Sequence, residues 1–151
     1  IKKHFPDVNL YLVGSKPSAE LKKLGEIEGV TVTGFVDDIR DYIIQADVCV
    51  IPLRIARGIQ NKVLEAMAMG KAVVSTTDAA EGLLIDMEKD ISIQNTAETF
   101  ASSVVALLQD KQKARQMGSN ARAVMEKNYS WEGNLSLLNS LLEGTVSLPE
   151  A

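Results

Sequence analysis

The sequence has few of the residues on which several classes of protein depend. Its 151 residues include one cysteine, Cys49, and one histidine, His4, so neither an internal disulfide nor a zinc site built from these ligands is expected. Cys49 lies in an apolar run and is interpreted as a small buried hydrophobe in a reducing cytoplasm. The 16 basic and 20 acidic residues are scattered without long runs of one sign, which disfavours nucleic-acid binding.

Long apolar runs are also lacking. The longest stretches, such as residues 48–53, are far too short to span a bilayer, and the N-terminus shows no signal-peptide pattern. A soluble chain is therefore predicted. What the sequence does contain is 46% hydrophobic residues at a length usual for one domain, which is enough to fill a single core.

Five short segments have the composition of β-strands, and helical segments follow the first three of them. The strand segments are apolar nearly throughout, a pattern typical of strands covered on both faces. Their alternation with helices predicts a three-layer α/β domain with a parallel sheet of about five strands. The predicted strands are residues 8–13, 30–33, 48–53, 72–76 and 91–93, and the helices between them are residues 18–24, 39–45 and 61–69.

The rest of the chain is predicted to be helical. Thr96 is placed to cap a helix whose apolar residues, among them Phe100 and Val104, recur at helical spacing. Two further helices are predicted over residues 112–127 and 130–142, and the tail from Gly144 looks loose.

The segment from Arg57 to Gly70, RGIQNKVLEAMAMG, is the most informative for function. A glycine-containing loop opens a short helix directly after a strand, so backbone N–H groups at the positive helix end face the carboxyl edge of the sheet. That arrangement binds anions, and ligands of parallel sheets collect at the same edge. Glu65, among small or apolar neighbours, is either an exposed residue paired with Lys62 or a carboxylate that accepts hydrogen bonds from vicinal hydroxyls of a ligand.

The string KVLEAMAMGKAVVST is similar to the signature of the family-four glycosyltransferases, which have the GT-B fold. Three further blocks agree in the same order: PDVNLYLVG from Pro6, VTVTGFVDD from Val30 and ADVCVIP from Ala46. The segment from Arg54 to Gly70 resembles most a bacterial branch associated with exosortase and exopolysaccharide gene clusters. The resemblance implies half of a GT-B fold, a Rossmann-like domain that binds the donor nucleotide.

The resemblance also implies an activity. Family members are retaining enzymes that transfer a sugar from a nucleotide diphosphate sugar to a glycan or lipid-linked acceptor, with neither a metal nor another cofactor. The chain is accordingly expected to be cytoplasmic, with at most peripheral association at the inner membrane face. An epimerase of sugar nucleotides with the same fold and a non-enzymatic flavodoxin-like or receiver-like binding module stay open as alternatives.

The resemblance further implies roles for individual residues. Glu65 matches the second glutamate of the family's Glu-x7-Glu motif, which binds the ribose hydroxyls of the donor. The diphosphate-binding positions correspond to Gly58, Asn61 and Lys62, and the loop that touches the base corresponds to Gly34, Val36 and Asp38.

Position 57 departs from the family pattern, because Arg57 stands where the first glutamate of the motif would fall. That glutamate contacts the donor sugar, so Arg57 is assigned to an acidic sugar or to the phosphates, unless it is a solvated loop residue. Three other positions have plainer interpretations. Asp38 could cap the next helix. Tyr129 and Trp131 resemble the entry to the family's last helix and can at the same time be plain core aromatics.

The resemblance covers nearly the whole chain and implies a donor-binding domain over residues 1–143 with a loose tail over residues 144–151. Complete members open this domain with one further strand and helix, after an acceptor-binding domain, so the chain by itself is expected to be inactive. Loss of that central strand predicts that the strands over residues 8–13 and 48–53 pair directly, in a flavodoxin-like order, unless another chain fills the position.

Overall fold

The computed structural model describes residues 1–131 together with residues 135 and 140, and in it strands alternate with helices. All strand pairs are parallel, β1 with β2 in one sheet and β3 with β4 and β5 in another. The predicted α/β class is confirmed. The elements are β1 (Leu10–Val13), α1 (Ala19–Leu24), β2 (Val30–Gly34), α2 (Arg40–Gln45), β3 (Val48–Ile51), α3 (Asn61–Ala68), β4 (Ala72–Ser75), α4 (Thr77–Ala80), β5 (Ser92–Ile93), α5 (Ala97–Gln109) and α6 (Lys111–Asn128).

Side-chain oxygens fix where several helices begin. Thr96 Oγ1 accepts a hydrogen bond from Thr99 N at 3.2 Å, which confirms the predicted cap of α5. Asp110 Oδ1 accepts from Gln112 N and Lys113 N, so α6 follows α5 almost without a loop. Helix α4 was not predicted, because a helix of four residues is too short to show periodicity.

The core surrounds β4, whose four residues are all buried. Neighbouring side chains of a strand point to opposite faces, and β4 shows this directly. Val73 belongs to a cluster with Val63 and Met67 of α3, whereas Val74 belongs to a second cluster that includes Leu107 of α5. Strand β4 is therefore covered on both faces, as its apolar sequence predicts.

Helix α6 crosses the end of α3 at very short range. A Cβ atom added to Gly118 of α6 would lie 2.0 Å from the carbonyl oxygen of Gly70. Only glycine at position 118 allows the two backbones to approach this closely. The contact holds α6 against Gly70, which follows α3.

The smaller sheet does not follow the prediction of strands covered on both faces. Leu10 and Tyr11 of β1 are exposed, and α1 contains no buried residue. None of residues 1–42 is buried, whereas all of the buried residues of the described chain lie at Ile43 or beyond. The apolar composition of β1 therefore predicted the strand correctly but its burial wrongly.

The predicted direct pairing of the first and third strands is wrong. No ladder joins β1 to β3 within residues 1–131, and the predicted single sheet is divided in two. The prediction assumed that unpaired strand edges are costly, but exposed backbone groups, as in β1, can hydrogen-bond to water instead. The ring of Tyr11 instead lies beside that of Tyr42 on α2, with 6.0 Å between the ring centroids.

The predicted helix over residues 130–142 lies mostly outside the described residues, and the boundary at residue 143 and the tail over residues 144–151 lie wholly outside them. At its start, Trp131 is 81% exposed, so its interpretation as a core aromatic is wrong. Tyr129 is half-buried and packs against the core cluster around Met67. Within the described residues, no helix combines the length and apolar character that a membrane crossing requires.

Candidate functional site

The loop between β3 and α3 lies at the carboxyl end of β3, and the side chain of Gln60 hydrogen-bonds to its backbone. Gln60 Nε2 donates to the carbonyl oxygens of Arg57 at 3.2 Å and Gly58 at 3.0 Å. Gly58 has a φ of +66°, a conformation that favours glycine, and a Cβ added there would meet no atom within 4 Å. The loop therefore presents an open backbone surface immediately before α3.

The first turn of α3 has backbone donors without acceptors. The first N–H of this helix to find an acceptor belongs to Val63, which donates to Gln60 O at 2.9 Å. Within the described part of the chain, the N–H groups of Asn61 and Lys62 have no acceptor, and Gln60 forms no side-chain cap. Free N–H groups at the positive end of a helix are suited to bind an anion such as a phosphate.

Glu65 stands on the exposed face of α3, opposite the buried Val63, Ala66 and Met67. Among residues 1–131, its carboxylate forms no ion pair and accepts no hydrogen bond, so the pairing with Lys62 is not formed. Residues four apart lie on the same face of a helix, about 6 Å apart along its axis. The Glu65 side chain therefore lies one turn after that of Asn61 on the same face, and helical side chains tilt toward the N-terminus, where the free N–H groups are.

The charged side chains around this loop are exposed and uncompensated. Arg54, Arg57 and Lys62 form no ion pairs with residues that the structure describes, and neither does Glu81 at the end of α4. Arg57 is thus free to meet a ligand or solvent. Its position in the loop that leads into α3 agrees with either of the roles the sequence left open.

The residues predicted to touch a base lie at the carboxyl end of β2, in the smaller sheet. Gly34 ends this strand with a φ of +73° and has open space at its Cβ position, and Val36 is half-buried. Asp38 is engaged: its carboxylate binds the Arg40 guanidinium at 2.6 Å and accepts from Arg40 N at 2.9 Å. The hydrogen bond from that guanidinium lowers the pKa of Asp38. The predicted capping role is not found, because the N-cap of α2 is Ile39, which has no side-chain cap, and among the described backbone amides Asp38 holds only that of Arg40.

The structure therefore brings Arg57, Gly58, Asn61, Lys62 and Glu65 together on one loop and one helix face. The base-loop residues form a second group on the other sheet. Neither group contains a cluster of metal ligands, since no three His, Cys, Asp or Glu residues lie close enough together within the described ranges to hold a metal ion.

Polar residues that sequence reasoning missed hold the carboxyl ends of the larger sheet. Thr77 N donates to Asn95 Oδ1 at 3.0 Å, and Asn95 Nδ2 donates back to Thr77 Oγ1 at 2.9 Å, which ties the end of β4 to the end of β5. Thr76 Oγ1 hydrogen-bonds to the carbonyl of Leu53 after β3. The signal in the sequence was the occurrence of polar residues directly after β4 and β5.

Comparison with known families gives a match over residues 1–110 to the model described as glycosyl transferases group 1. No match was found among curated protein sequences. Among solved structures, the C-terminal domain of a group 1 glycosyl transferase (LpcC) from Francisella tularensis is similar, with a TM-score of 0.69 and 19% identity. That match covers 86% of this chain and 74% of the other.

Two larger proteins are also similar. HepE from Anabaena, solved with UDP, has a TM-score of 0.75 and 20% identity over 91% of this chain and 42% of its own. A TarM variant from S. aureus, solved with UDP, fondaparinux and α-GlcNAc-glycerol, has a TM-score of 0.75 and 21% identity over 97% and 30%. At these identities the likeness concerns the fold, and this chain spans less than half the length of either protein.

Proposed function

Because the chain belongs to the group 1 glycosyl transferases, we propose that it is the donor-binding part of a retaining enzyme. The proposed reaction transfers a hexosyl group from a nucleotide diphosphate sugar to a glycan or lipid-linked acceptor, in bacterial polysaccharide synthesis. The UDP bound to HepE and TarM, which share the fold, supports a nucleoside diphosphate as the ligand. Since the chain spans less than half of those proteins, the proposal assigns donor binding alone to it.

One observation carries the proposal: an unpaired carboxylate lies on the exposed face of α3, one helical turn after the free backbone amides at its N-terminal end. In the proposal, the N–H groups of Asn61 and Lys62 donate to the diphosphate, and the open backbone at Gly58 lets it approach. Glu65 accepts hydrogen bonds from the ribose hydroxyls, which a carboxylate can do with both oxygens. Ribose and diphosphate are adjacent in a nucleotide, as these groups are on α3.

The proposed chemistry depends on electrostatics. Negative charge develops on the diphosphate as its bond to the anomeric carbon breaks, and fixed N–H donors aimed at that charge lower the barrier. The Lys62 ammonium adds a mobile positive charge, and Arg57 is proposed to contact the donor sugar or the phosphate next to it. The proposal requires no metal, because these groups carry out the charge stabilisation.

The base is proposed to lie against the loop formed by Gly34, Val36 and Asp38. Because the carboxylate of Asp38 is engaged by Arg40, we assign its contribution to the backbone of the loop. Free N–H and C=O groups after a strand can read the edge of a base. A cytoplasmic location, with at most peripheral attachment to the inner membrane, belongs to the proposal and rests on the resemblance alone.

The family match leaves the epimerase and the flavodoxin-like module without support. A nucleotide titration tests the remaining proposal. UDP, GDP and ADP are titrated calorimetrically into the wild-type protein and into Glu65→Gln, and the best ligand is then compared with its 2′,3′-dideoxy form. Glu26→Gln, a change of another exposed glutamate, is the matched control.

We expect one diphosphate to bind, and Glu65→Gln and removal of the two hydroxyls to weaken it by similar and non-additive amounts, because both remove the same hydrogen bonds. Glu26→Gln should bind as the wild type does. If none of the three diphosphates binds, the proposed function is wrong. If binding occurs and the two losses add fully, the ribose lies elsewhere and the role of Glu65 is wrong.

A further inference from the structure

The segment that follows α4 is held by the distant end of α6. Leu84 N donates to the Tyr129 hydroxyl at 2.7 Å, and Asn128 Nδ2 donates to the Leu84 carbonyl at 2.9 Å. Both polar groups of one backbone residue are thus satisfied by side chains 44 and 45 positions later in the chain. The Leu84 side chain itself is exposed, so hydrogen bonds rather than its own burial hold this point.

The same segment touches the loop before α3. A Cβ atom added to Gly82 would lie 3.9 Å from Cγ1 of Ile59, so the Ile59 side chain lies beside Gly82, on the side where a Cβ would point. Between Gly82 and Leu84, Leu83 is buried in the cluster that contains Val63 of α3. Contacts therefore run from Tyr129 through Leu84 and Gly82 to Ile59, which lies two residues before Asn61.

Few other contacts hold this loop. Between Arg54 and Ile59, the hydrogen bonds formed within the described residues are the two from Gln60 to Arg57 and Gly58, and Ile55 and Ile59 are exposed. A loop with few internal ties must be ordered when a ligand binds, and that ordering weakens the affinity. A contact that orders the loop in advance strengthens binding without touching the ligand.

We propose that Tyr129 is a positioning residue for the nucleotide site, acting through Leu84 and Gly82 on the loop that precedes the free amides of α3. The inference rests on the proposed function for the identity of the ligand. The ring of Tyr129 packs against the core cluster and would do so equally as phenylalanine. The proposed role belongs to the hydroxyl alone. It accepts a hydrogen bond from the N–H of Leu84 and so fixes the position of the segment from Gly82 to Leu84, beside which Ile59 lies.

The test removes that hydroxyl alone. Tyr129→Phe is compared with Tyr11→Phe, a matched control whose exposed hydroxyl has no hydrogen bond within residues 1–131. Asn128→Leu, which removes the second tie to Leu84, serves as an independent variant. Two quantities are measured on each protein: amide hydrogen exchange of Leu84 and of Val63 and Leu64, which both donate to Gln60 O in the loop, and the affinities for UDP, GDP and ADP.

We expect the Leu84 amide to exchange about fivefold faster or more in Tyr129→Phe, since one hydrogen bond is worth about 1 kcal/mol. The amides of Val63 and Leu64, which donate to Gln60 O, should also exchange faster. The diphosphate that binds should bind about three- to tenfold more weakly. Asn128→Leu should change both quantities in the same direction. Tyr11→Phe should change neither.

Faster exchange at Leu84 with no change at Val63 and Leu64 would overturn the inference, because Tyr129 would then stabilise its own segment only. Unchanged diphosphate affinity in both Tyr129→Phe and Asn128→Leu would overturn it as well. If the wild-type protein binds none of the diphosphates, the proposed function fails. The exchange at Val63 and Leu64 would still decide whether Tyr129 orders the loop.

Discussion

The two sheets of this molecule are built from similar short apolar strands, yet they are packed very differently. In the larger sheet, β4 is buried on both faces by α3, α5 and α6. In the smaller sheet, β1 and α1 leave apolar side chains such as Leu10 and Leu21 exposed, and residues 1–42 include none that is buried. Apolar composition thus makes a strand, while burial depends on which helices cover it.

The proposed nucleotide site draws on both regions. Its ribose and diphosphate residues, Glu65, Asn61 and Lys62, lie on α3, whose inner face carries the fully buried Val63 and Met67. Its base loop follows β2 in the loosely packed region. Binding groups on a well-packed helix keep their geometry, so the groups on α3 should be held more firmly than the loop proposed to contact the nucleotide base.

The largest expected difference between the two regions is in core packing. Met67→Ala removes a fully buried side chain and should lower the free energy of unfolding by about 2–5 kcal/mol, because a cavity is left behind. Leu12→Ala in the half-buried part of β1 should lower it by about 1 kcal/mol. Urea unfolding followed by circular dichroism measures both. Equal losses would show that the two regions are packed alike in solution.

A second comparison uses glycines in helical conformation. Gly118→Ala places a Cβ 2.0 Å from Gly70 O, so α3 and α6 must separate, and we expect a loss of about 3 kcal/mol. Gly25→Ala in the smaller region meets Lys22 O at 3.2 Å and should change stability by less than about 1 kcal/mol. The same urea experiment applies. A stabilised Gly118→Ala, as helix propensity alone predicts, would contradict the close packing of α3 and α6.

Ligand binding sharpens the comparison further. Glu65→Gln should weaken binding of the nucleoside diphosphate by about 1.5–3 kcal/mol, the usual worth of a hydrogen bond to a charged group, and leave stability unchanged. Asp38→Asn should change affinity little, since Arg40 already occupies that carboxylate. Calorimetric titration of both variants with the nucleoside diphosphate measures the two changes in affinity. A larger effect of Asp38→Asn would mean that the base loop dominates binding.

The smallest expected effect concerns Arg57. Arg57→Ala should weaken binding of the nucleotide sugar by about 1 kcal/mol and that of the free nucleoside diphosphate by less, if its guanidinium meets the sugar. Arg57→Glu, which restores the family residue, should not restore activity of the complete enzyme. Arg54→Ala, another unpaired exposed arginine, is the control. Titrations at two salt concentrations separate a direct contact from a screened surface charge.

The sequence predicted the parts of this fold that depend on local pattern. The uninterrupted apolar run of β4 and the amphipathic α3 were both found close to their predicted bounds. The division of the sheet was missed, because strand pairing depends on distant segments that no local pattern encodes. Cysteine, glycine and charge counts could not reveal it either.

The candidate site shows the same limit. Glu65 stood out as a lone acid among apolar neighbours, and the structure leaves its carboxylate unpaired. Asp38 was assigned to the base, but its bond to Arg40 at 2.6 Å is visible only in three dimensions. The tie between Tyr129 and Leu84 joins residues 45 positions apart, and no spacing rule relates them.

The exposure of Trp131 has a practical consequence for spectroscopy. Trp131 is the sole tryptophan in the sequence and is already 81% exposed in the folded protein. Its emission should therefore change little when the core unfolds, so an unfolding curve followed by fluorescence would miss the transition that circular dichroism reports. The same side chain lies two residues after Tyr129, at the end of α6. Any molecule or domain that covers this end would shift its emission to shorter wavelength, so the protein carries its own optical probe for contacts at that surface.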